Sequence, residues 1–434
     1  MVDDLSSSWA ACFVLYAKVC LGTVGRFPRV NMDIKFIRKV DDNVGYVLCW
    51  VVSIYFRLKN VLRWKSVPSL DSEVKGILVQ KYFGIGSTLH AIPLIRSLRG
   101  RYPNAKIYFL TIEWNKEVNE ICDIFDYVLT LNVDSLPRFL LDSLKHIVFL
   151  MREKIDISID LEFFARYTLL ISCVSGSKQR VGFFLKHVRP GGIITDEIYF
   201  NHYRHISDVY FSFAEIMGIK RKKEYFTDTL PPFSKDEEIR LLGRLQLELD
   251  RPRILINANS SDLSKLRCWP SSYYVELLNL LIVEYPNYQY VMIGAKSEEV
   301  DVQNIIDASN ASNRIINAAG ETSLRDLFNL IESSFLLITN DSGPMHIAAL
   351  YNRNVVSFFG PETPVVYGPR NKNSVVIDNK EIYCSPCLNV YNSKKSLYVK
   401  HDGKHCTQND CLRAIRPLSV FETIKERFLI AHEY

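Results

Sequence analysis

Residues 77–88 read Ile-Leu-Val-Gln-Lys-Tyr-Phe-Gly-Ile-Gly-Ser-Thr, and they predict the fold of the first half of the chain. The apolar run at its start predicts a buried strand, and the glycines at 84 and 86 predict a turn. Helical spacing follows, and after Pro103 a second apolar run occupies residues 106–111. Strand, glycine turn, helix and strand make a βαβ unit, which predicts a parallel sheet covered by helices on both faces.

The same order of elements restarts after Pro231 and Pro232. Further strands of the first half are predicted at residues 127–131 and 157–161. Strands of the second half are predicted at residues 254–257, 290–294, 335–339 and 355–360, and helices at 273–283 and 324–331. We therefore predict an α/β protein with two Rossmann-like, doubly wound domains, whose strands direct their carboxyl ends towards a central cleft.

Length and composition are those of an ordinary folded protein. The 434 residues are 48% apolar and 23% charged, which excludes intrinsic disorder and suffices for two or three domains. The net charge of +5 is too small to indicate nucleic-acid binding, and no nucleic-acid partner is expected. We place a helical extension at residues 1–70, the first Rossmann-like domain at 71–230, and the second, with a terminal helix, at 236–434.

The N-terminal extension combines an apolar helix with basic residues. Residues 44–56 are uncharged, and Arg57, Lys59, Arg63 and Lys65 follow them. Such a helix can lie among anionic headgroups, which makes peripheral contact with the inner membrane one hypothesis; a helix buried against the protein body is the other. No apolar run reaches the roughly 20 residues of a membrane span, and the start is acidic, so we expect a cytoplasmic protein.

Residues 340–346 read Asn-Asp-Ser-Gly-Pro-Met-His and follow a predicted strand directly into a helix. Ser342 or Asp341 is predicted to cap that helix, Gly343 leaves room for a ligand, and Pro344 suits the first turn. Free amides at a helix start bind anions, and a phosphate is the natural one. An ordinary capped helix, with His346 in the core, is the alternative.

Several blocks of the sequence resemble glycosyltransferase family 9, the ADP-heptose:lipopolysaccharide heptosyltransferases. They lie at residues 93–107, 180–183, 319–324, 341–349, 359–361 and 367–369, and Asp-Ser-Gly-Pro-Met-His is the most specific of them. The resemblance implies a GT-B fold, in which two Rossmann-like domains bind donor and acceptor. It also implies inverting transfer of a sugar, without a metal, from ADP-heptose or another nucleotide sugar to a lipid-linked saccharide such as lipopolysaccharide.

The resemblance also implies a set of donor-binding residues in the second domain. A cation just before Trp269-Pro270 neutralises the leaving diphosphate, and Arg267 is our first choice for it, with Lys265 second. A guanidinium suits this role because the diphosphate gains negative charge as the bond to the sugar breaks. The remaining donor-binding candidates are Asn259, Ser260, Gly294, Asp341, Ser342, Gly343, Pro344 and His346.

One departure from the family concerns the general base. Heptosyltransferases carry Gly-Asp after the first strand, where this chain has Gly86-Ser87, and a serine does not act as a base at neutral pH without a partner. Glu162, at the end of the 157–161 strand, is our first replacement, followed by Glu113 and His90. Acceptor binding is expected at Gly86, Ser87 and His205.

Four clustered cysteines have the spacing of a metal knuckle. Cys384 and Cys387 form a Cys-x2-Cys pair, and Cys406 and Cys411 end the loop that follows, residues 384–411. Four thiolates would hold a structural zinc ion, and free or redox-paired cysteines are the alternative. No cofactor is expected for catalysis itself.

Two other functions stay open from the sequence. Loss of the family's aspartate favours a non-catalytic protein that binds a nucleotide sugar or glycolipid on a GT-B body, although the retained 341–346 block and Arg267 argue for turnover. A nucleotide-sugar epimerase or hydrolase on the same fold is the second alternative.

Overall fold

A computed structural model describes residues 41–62, 73–82, 84–163, 165–185, 192–226, 230–260, 265–388, 400–401, 404–405 and 409–429. The chain forms two compact units. The first extends to Asn201 and includes Ser207–Phe226, and the second comprises His202–Ile206 and the described residues after Phe226. Residues 1–40 and 63–70 of the predicted N-terminal extension lie outside the described residues.

The first unit is built on a six-stranded sheet in which every pairing is parallel, in the order β3-β2-β1-β4-β5-β6. Its strands are β1 (Gly76–Gln80), β2 (Lys106–Ile112), β3 (Tyr127–Leu131), β4 (Ile157–Asp160), β5 (Gln179–Phe183) and β6 (Asp196–Ile198). Its helices are α1 (Tyr46–Leu62), α2 (Ile85–His90), α3 (Ile92–Arg101), α4 (Lys116–Cys122), α5 (Leu136–Glu153), α6 (Tyr167–Val174) and α7 (Ile206–Glu215).

The second unit repeats this architecture, with a parallel sheet in the order β12-β11-β10-β7-β8-β9. Its strands are β7 (Arg253–Asn257), β8 (Gln289–Met292), β9 (Ile315–Asn317), β10 (Leu336–Asn340), β11 (Asn354–Phe359) and β12 (Ser374–Asp378). Its helices are α8 (Lys235–Arg244), α9 (Ser271–Glu284), α10 (Glu299–Asp307), α11 (Leu324–Glu332), α12 (Gly343–Leu350), α13 (Pro364–Tyr367), α14 (Asp410–Arg413) and α15 (Pro417–Ile424).

Short elements complete the described chain. An antiparallel pair joins Lys400–His401 to Lys404–His405. Single helical turns occupy Asp41–Gly45, Glu113–Asn115, Lys223–Phe226, Lys265–Arg267, Lys296–Glu298, Ser312–Arg314 and Lys425–Leu429. No helix in the described ranges is long and apolar enough to cross a bilayer.

Burial of the central strands explains why the sequence signals them so clearly. Every residue of β1, β7 and β10 is buried, because helices cover both faces of each sheet. A strand buried on both faces is a continuous apolar run, and such runs are what the sequence shows. The predicted doubly wound, parallel organisation of the two halves is confirmed.

Helix α1 packs against the first unit along one side. Cys49 and Val52 are buried with Leu169 and Leu170 of α6. The hypothesis of a helix packed on the protein body is therefore correct for this side of α1.

Candidate functional site

The carboxyl ends of β1 and β4 meet at one edge of the first sheet, and a buried ion pair lies there. Gln80 pairs with Asp160 at the strand ends, so the residues that follow each strand are neighbours. The Nζ atom of Lys81 donates to Oε1 of Glu162 at 2.8 Å, and the side chains of both are 8% exposed. The backbone nitrogen of Tyr82 donates to the same oxygen at 2.6 Å. Breaking this pair from one side would leave a buried charge, which is costly.

Asp160 fixes the turn that presents Glu162. Its Oδ1 accepts from the backbone nitrogen of Glu162 at 3.0 Å, and its Oδ2 accepts from the hydroxyl of Thr168 at 2.6 Å. Asp160 is itself buried, at the last position of β4. Glu162 is therefore held in place through both its backbone nitrogen and its side-chain carboxylate.

Tyr210 brings Ser87 and Glu162 into one neighbourhood. Burial raises the pKa of the Tyr210 phenol, the nearby charge of Glu162 raises it further, and a hydrogen bond with the Ser87 hydroxyl acts in the opposite direction. Ser87 and Gly86 lie in the first turn of α2, which begins just after Gly84 at a φ of 90°. Glu162 and Ser87, which we expected to bind the acceptor, thus both lie near Tyr210.

The other candidate bases have different partners. Glu113 follows β2 and is exposed, and its carboxylate accepts from Nδ2 of Asn132 at 2.8 Å. His90 is half-buried at the end of α2, with Nδ1 3.1 Å from the hydroxyl of Ser207. Neither residue is buried, whereas Glu162 is.

In the second unit, Trp269 holds the cationic turn in place. The buried indole donates through Nε1 to the carbonyl of Ile415 at 3.0 Å, and the backbone nitrogen of Trp269 donates to Oδ1 of Asn340 at 2.9 Å. Asn340 is the last residue of β10, so the Lys265–Arg267 turn is tied to the end of that strand. The side chain of Lys265 lies outside the described residues.

Arg267 and Asp341 form an ion pair at this strand end. The guanidinium nitrogen Nη1 lies 3.3 Å from Oδ2 of Asp341, and the two side chains are 19% and 8% exposed. Burial raises the pKa of Asp341, and Arg267 lowers it. The residues predicted from separate blocks of sequence are therefore in contact.

Ser342 occupies the N-cap position of α12, but its side chain does not cap the helix. Its hydroxyl accepts from Nδ2 of Asn257 at 2.9 Å and lies 2.9 Å from the hydroxyl of Thr339. The predicted capping by Ser342 or Asp341 is wrong, because the serine is used across β7 and β10 and the aspartate faces Arg267. The first amides of α12, at Gly343 and beyond, have no side-chain cap among the described residues, a state that suits an anion.

Two histidines lie deeper in the same unit. Burial lowers the pKa of His346 to about 3, and His205 and Arg267 contribute, so the imidazole is neutral. His205 is buried, and its Nε2 lies 3.0 Å from the carbonyl oxygen of Gly368. We expected His205 in the acceptor domain. The segment His202–Ile206 instead belongs to the second unit, which corrects that placement.

Glu362 is a site residue that the sequence analysis missed. Its pKa is raised to about 7, chiefly by burial and also by the charge of Asp341, while Arg267 acts in the opposite direction. It follows the Phe359-Gly360-Pro361 block, after β11, which is paired with β10. That position was the available signal, because parallel neighbours end at one edge of a sheet.

Asn259 has an unsatisfied amide beside Gly294. Its Nδ2 is buried and has no hydrogen-bond partner within the described part of the chain. A Cβ atom on Gly294 would lie 2.8 Å from that nitrogen, so a side chain there would displace the amide. Buried donors are normally hydrogen-bonded, so this amide is available to a ligand that supplies an acceptor. The neighbouring Ser260 hydroxyl lies 3.0 Å from Sγ of Cys268.

The cysteine cluster is only partly within the described residues. The backbone nitrogen of Cys387 donates to the carbonyl of Pro361 at 2.9 Å, and the hydroxyl of Ser385, between Cys384 and Cys387, donates to the carbonyl of Gly360. A Cβ on Gly360 would lie 2.8 Å from Sγ of Cys411. Cys406 lies outside the described residues, and within the described ranges no three ligand side chains are arranged to hold a metal. The zinc site stays a prediction, which metal analysis of the purified protein would test.

The profile of Glycosyltransferase family 9 (heptosyltransferase) matches residues 150–397. This match covers more than half of the 434 residues, and the chain therefore belongs to glycosyltransferase family 9.

Curated relatives are similar over parts of their length. Lipopolysaccharide heptosyltransferase 2 of Escherichia coli K12 is 32% identical over 146 residues, which are 33% of this chain and 41% of that protein. Lipooligosaccharide heptosyltransferase 2 of Campylobacter jejuni serotype O:6 is 26% identical over 209 residues, 47% of this chain and 59% of that protein. The chain thus spans between two and three fifths of the length of these relatives.

Two solved structures are similar over most of the chain. The ADP-heptose lipopolysaccharide heptosyltransferase II of E. coli aligns at a TM-score of 0.63 and 23% identity, covering 83% of this chain and 100% of that one. A family 9 glycosyl transferase from Veillonella parvula aligns at 0.65 and 21%, covering 83% and 99%. These likenesses concern the fold, and they confirm the predicted α/β fold of the GT-B type.

Proposed function

We propose that this member of glycosyltransferase family 9 transfers a sugar from a nucleotide-sugar donor to a saccharide acceptor of the cell envelope, with inversion at the anomeric carbon. One observation carries the proposal: Arg267 lies beside Asp341 at the end of β10, where the uncapped start of α12 presents amides to an anion. The names of the curated relatives favour a heptose as the transferred sugar and a lipopolysaccharide as the acceptor. The similar E. coli structure is of an ADP-heptose enzyme, which favours ADP-heptose as the donor.

The donor diphosphate would bind at the start of α12. Its oxygens accept from the free amides of that turn and from the Arg267 guanidinium, which exchanges its contact with Asp341 for a more highly charged partner. The unpaired Nδ2 of Asn259 offers a further donor beside Gly294. As the bond to the sugar breaks, negative charge grows on the diphosphate, and Arg267 stabilises it.

Glu162 would be the general base. An acceptor hydroxyl passes its proton to the Glu162 carboxylate while its oxygen attacks the anomeric carbon, and the bond from that carbon to the diphosphate oxygen breaks. Lys81 and the amide of Tyr82 both donate to Oε1 of Glu162 and orient the carboxylate. Lys81 is thus a positioning residue. The Glu162 carboxylate accepts the proton, a role that Ser87 cannot fill.

The non-catalytic alternative rests on the missing aspartate at position 87. That support is weakened because a buried carboxylate, Glu162, lies in the neighbourhood of Ser87. A nucleotide-sugar epimerase or hydrolase would not require an acceptor for turnover, so acceptor dependence separates it from a transferase.

The proposal is tested by nucleotide release from ADP-heptose, UDP-sugars and GDP-sugars, each with and without a truncated lipopolysaccharide core. We expect release from one donor that requires the acceptor, together with a product whose mass has increased by one sugar. Release that is independent of acceptor would indicate a hydrolase and contradict the proposal. Donor binding without release, for every acceptor tried, would support the non-catalytic alternative.

A further inference from the structure

The outer side of α1 is entirely apolar where its side chains are described. Five side chains of residues 46–55 are exposed, by 37% to 57%, and all are large and apolar: Tyr46, Val47, Trp50, Val51 and Ile54. At 100° per residue they share one side of the helix, and the buried Cys49 and Val52 lie on the other side. A soluble surface rarely leaves such a contiguous apolar patch uncovered, and such patches mark interaction sites.

Helix α5 presents a second exposed stripe. Leu141, Leu144 and Val148 are 67%, 41% and 40% exposed, at helical spacing. Three cations, Arg138, Lys145 and Arg152, are exposed among them. The two acidic residues of α5, Asp142 and Glu153, are half-buried, and Glu153 pairs with Lys106. The stripe is therefore apolar and positively charged at once.

The two helices are anchored to the same core. The backbone nitrogen of Tyr167 donates to Oδ1 of Asp41, in the turn before α1, at 2.9 Å. Its hydroxyl donates to the hydroxyl of Ser143, on the buried side of α5, at 2.8 Å. Val44 and Leu48 also pack against the cluster that contains buried residues of α5. The exposed sides of α1 and α5 thus belong to one region of the first unit.

We propose that the exposed sides of α1 and α5 form a docking surface for an anionic lipid bilayer. Tyr46 and Trp50 suit the boundary between headgroups and acyl chains, where amphipathic aromatic rings are favoured. The aliphatic side chains bury apolar area just below it, while Arg138, Lys145 and Arg152 meet the lipid phosphates. The proposal rests on the proposed function in one respect: docking on a membrane serves an enzyme whose acceptor is linked to a lipid.

Charge argues against the two other occupants. Residues 1–40 carry six Lys or Arg against three Asp, so their net charge has the same sign as that of α5. A second copy related by twofold symmetry would set the cations of α5 against those of its partner. An anionic bilayer complements both the apolar and the charged part of this surface.

Flotation of the full-length protein with lipid vesicles tests the proposal. We expect at least about tenfold stronger binding to vesicles of phosphatidylglycerol and phosphatidylethanolamine than to phosphatidylcholine, declining with salt. Trp50→Glu with Val51→Glu should weaken binding by about tenfold or more, as should Arg138→Glu with Lys145→Glu and Arg152→Glu. The matched control is Val283→Glu, at an 80% exposed apolar position of α9 in the second unit, which should leave binding unchanged.

Three outcomes would overturn the proposal: equal binding to both vesicle types, no binding to either, or a concentration-dependent dimer that Trp50→Glu dissociates. Thermal melting and nucleotide-sugar titration of each variant accompany the flotation. Unchanged melting and donor binding show that a loss of flotation arises at this surface. If vesicles bind while no nucleotide sugar does, the membrane surface stands and the proposed function fails.

Discussion

Lys81 and Glu162 follow two adjacent parallel strands, and a hydrogen bond of 2.8 Å joins Nζ of the lysine to Oε1 of the glutamate. Eighty-one residues separate them in sequence, and the sheet order places them side by side. The pair is buried, so the carboxylate is desolvated and oriented, as a base at a reacting hydroxyl needs to be.

Glu162→Gln should abolish most of the turnover. It also leaves Lys81 buried without its carboxylate, so we expect a loss of stability, and thermal melting must show that the variant is folded at the assay temperature. The amide keeps the shape of the side chain but cannot accept the acceptor proton, so kcat should fall about 10²- to 10⁴-fold. Donor affinity should be unchanged, since Glu162 lies in the first unit and the proposed donor site in the second. Steady-state kinetics and donor titration of the same preparation check both statements. Wild-type turnover in Glu162→Gln would remove it as the base.

Lys81→Met should destabilise the protein, because it leaves the Glu162 carboxylate buried without its cation. Breaking a buried pair from one side costs about 3–5 kcal/mol. The double variant Lys81→Met with Glu162→Gln should recover most of that free energy of unfolding, yet stay inactive. Denaturant unfolding of the two single variants and the double variant measures the coupling. Additive losses of stability would show that the pair is not coupled.

Arg267→Ala should weaken donor binding by about 10- to 150-fold, the equivalent of about 1.5–3 kcal/mol for a hydrogen bond to a charged group. The loss should grow with the charge of the ligand, so that nucleoside diphosphates suffer more than nucleosides. Arg240→Ala, at an exposed position of α8, is the matched control and should bind as the wild type does. An equal loss for nucleosides would place Arg267 away from the diphosphate.

Glu362 should make donor binding depend on pH near neutrality. Its pKa is raised to about 7, so the carboxyl is mainly neutral at pH 6 and mainly ionised at pH 8, next to Asp341. The added negative charge opposes a diphosphate, and affinity should therefore fall as pH rises through 7, by at most about tenfold per pH unit. Titrations at pH 6, 7 and 8 test this. Glu362→Gln should flatten the pH dependence of donor affinity. An unchanged slope in this variant would assign that dependence to another group.

Gly294→Ala should impair the donor site through Asn259. The new Cβ would lie 2.8 Å from Nδ2, which forces the unpaired amide to move, and we expect donor affinity to fall about tenfold, equivalent to one hydrogen bond. Gly243→Ala, in α8, is the control, because no heavy atom lies within 4 Å of its added Cβ. The control should bind normally and melt at the same or a higher temperature, since alanine favours a helix. Normal donor affinity in Gly294→Ala would show that the Asn259 amide does not take part in donor binding.

The strands were predictable because a strand buried on both faces consists mainly of apolar residues, as in β1 and β7. Helix α5 was not predicted, because Leu141, Leu144 and Val148 on its exposed side blur the apolar period. The placement of His205 failed for a different reason. Only tertiary packing assigns the short segment His202–Ile206 to the second unit.

The residues of the proposed donor site could be predicted from short sequence blocks. Asp341 and Arg267 came from separate blocks of a resemblance, and the structure brings them into contact at one strand end. The capping by Ser342 was wrong because Asn257 and Thr339, on two strands, take up its hydroxyl. The role of Lys81 and the pKa of Glu362 depend on burial and neighbours, which a linear pattern does not contain.

The proposed function requires the second unit to bind a nucleotide sugar through its diphosphate. Isothermal titration of the wild-type protein with ADP, UDP and GDP, and with the corresponding nucleotide sugars, tests it most directly. We predict that one nucleotide series binds, in the micromolar range, and that ADP-heptose leads it. Binding of a UDP or GDP series instead would keep the transferase and replace the heptose. Absence of binding by every nucleotide sugar would contradict the proposed function.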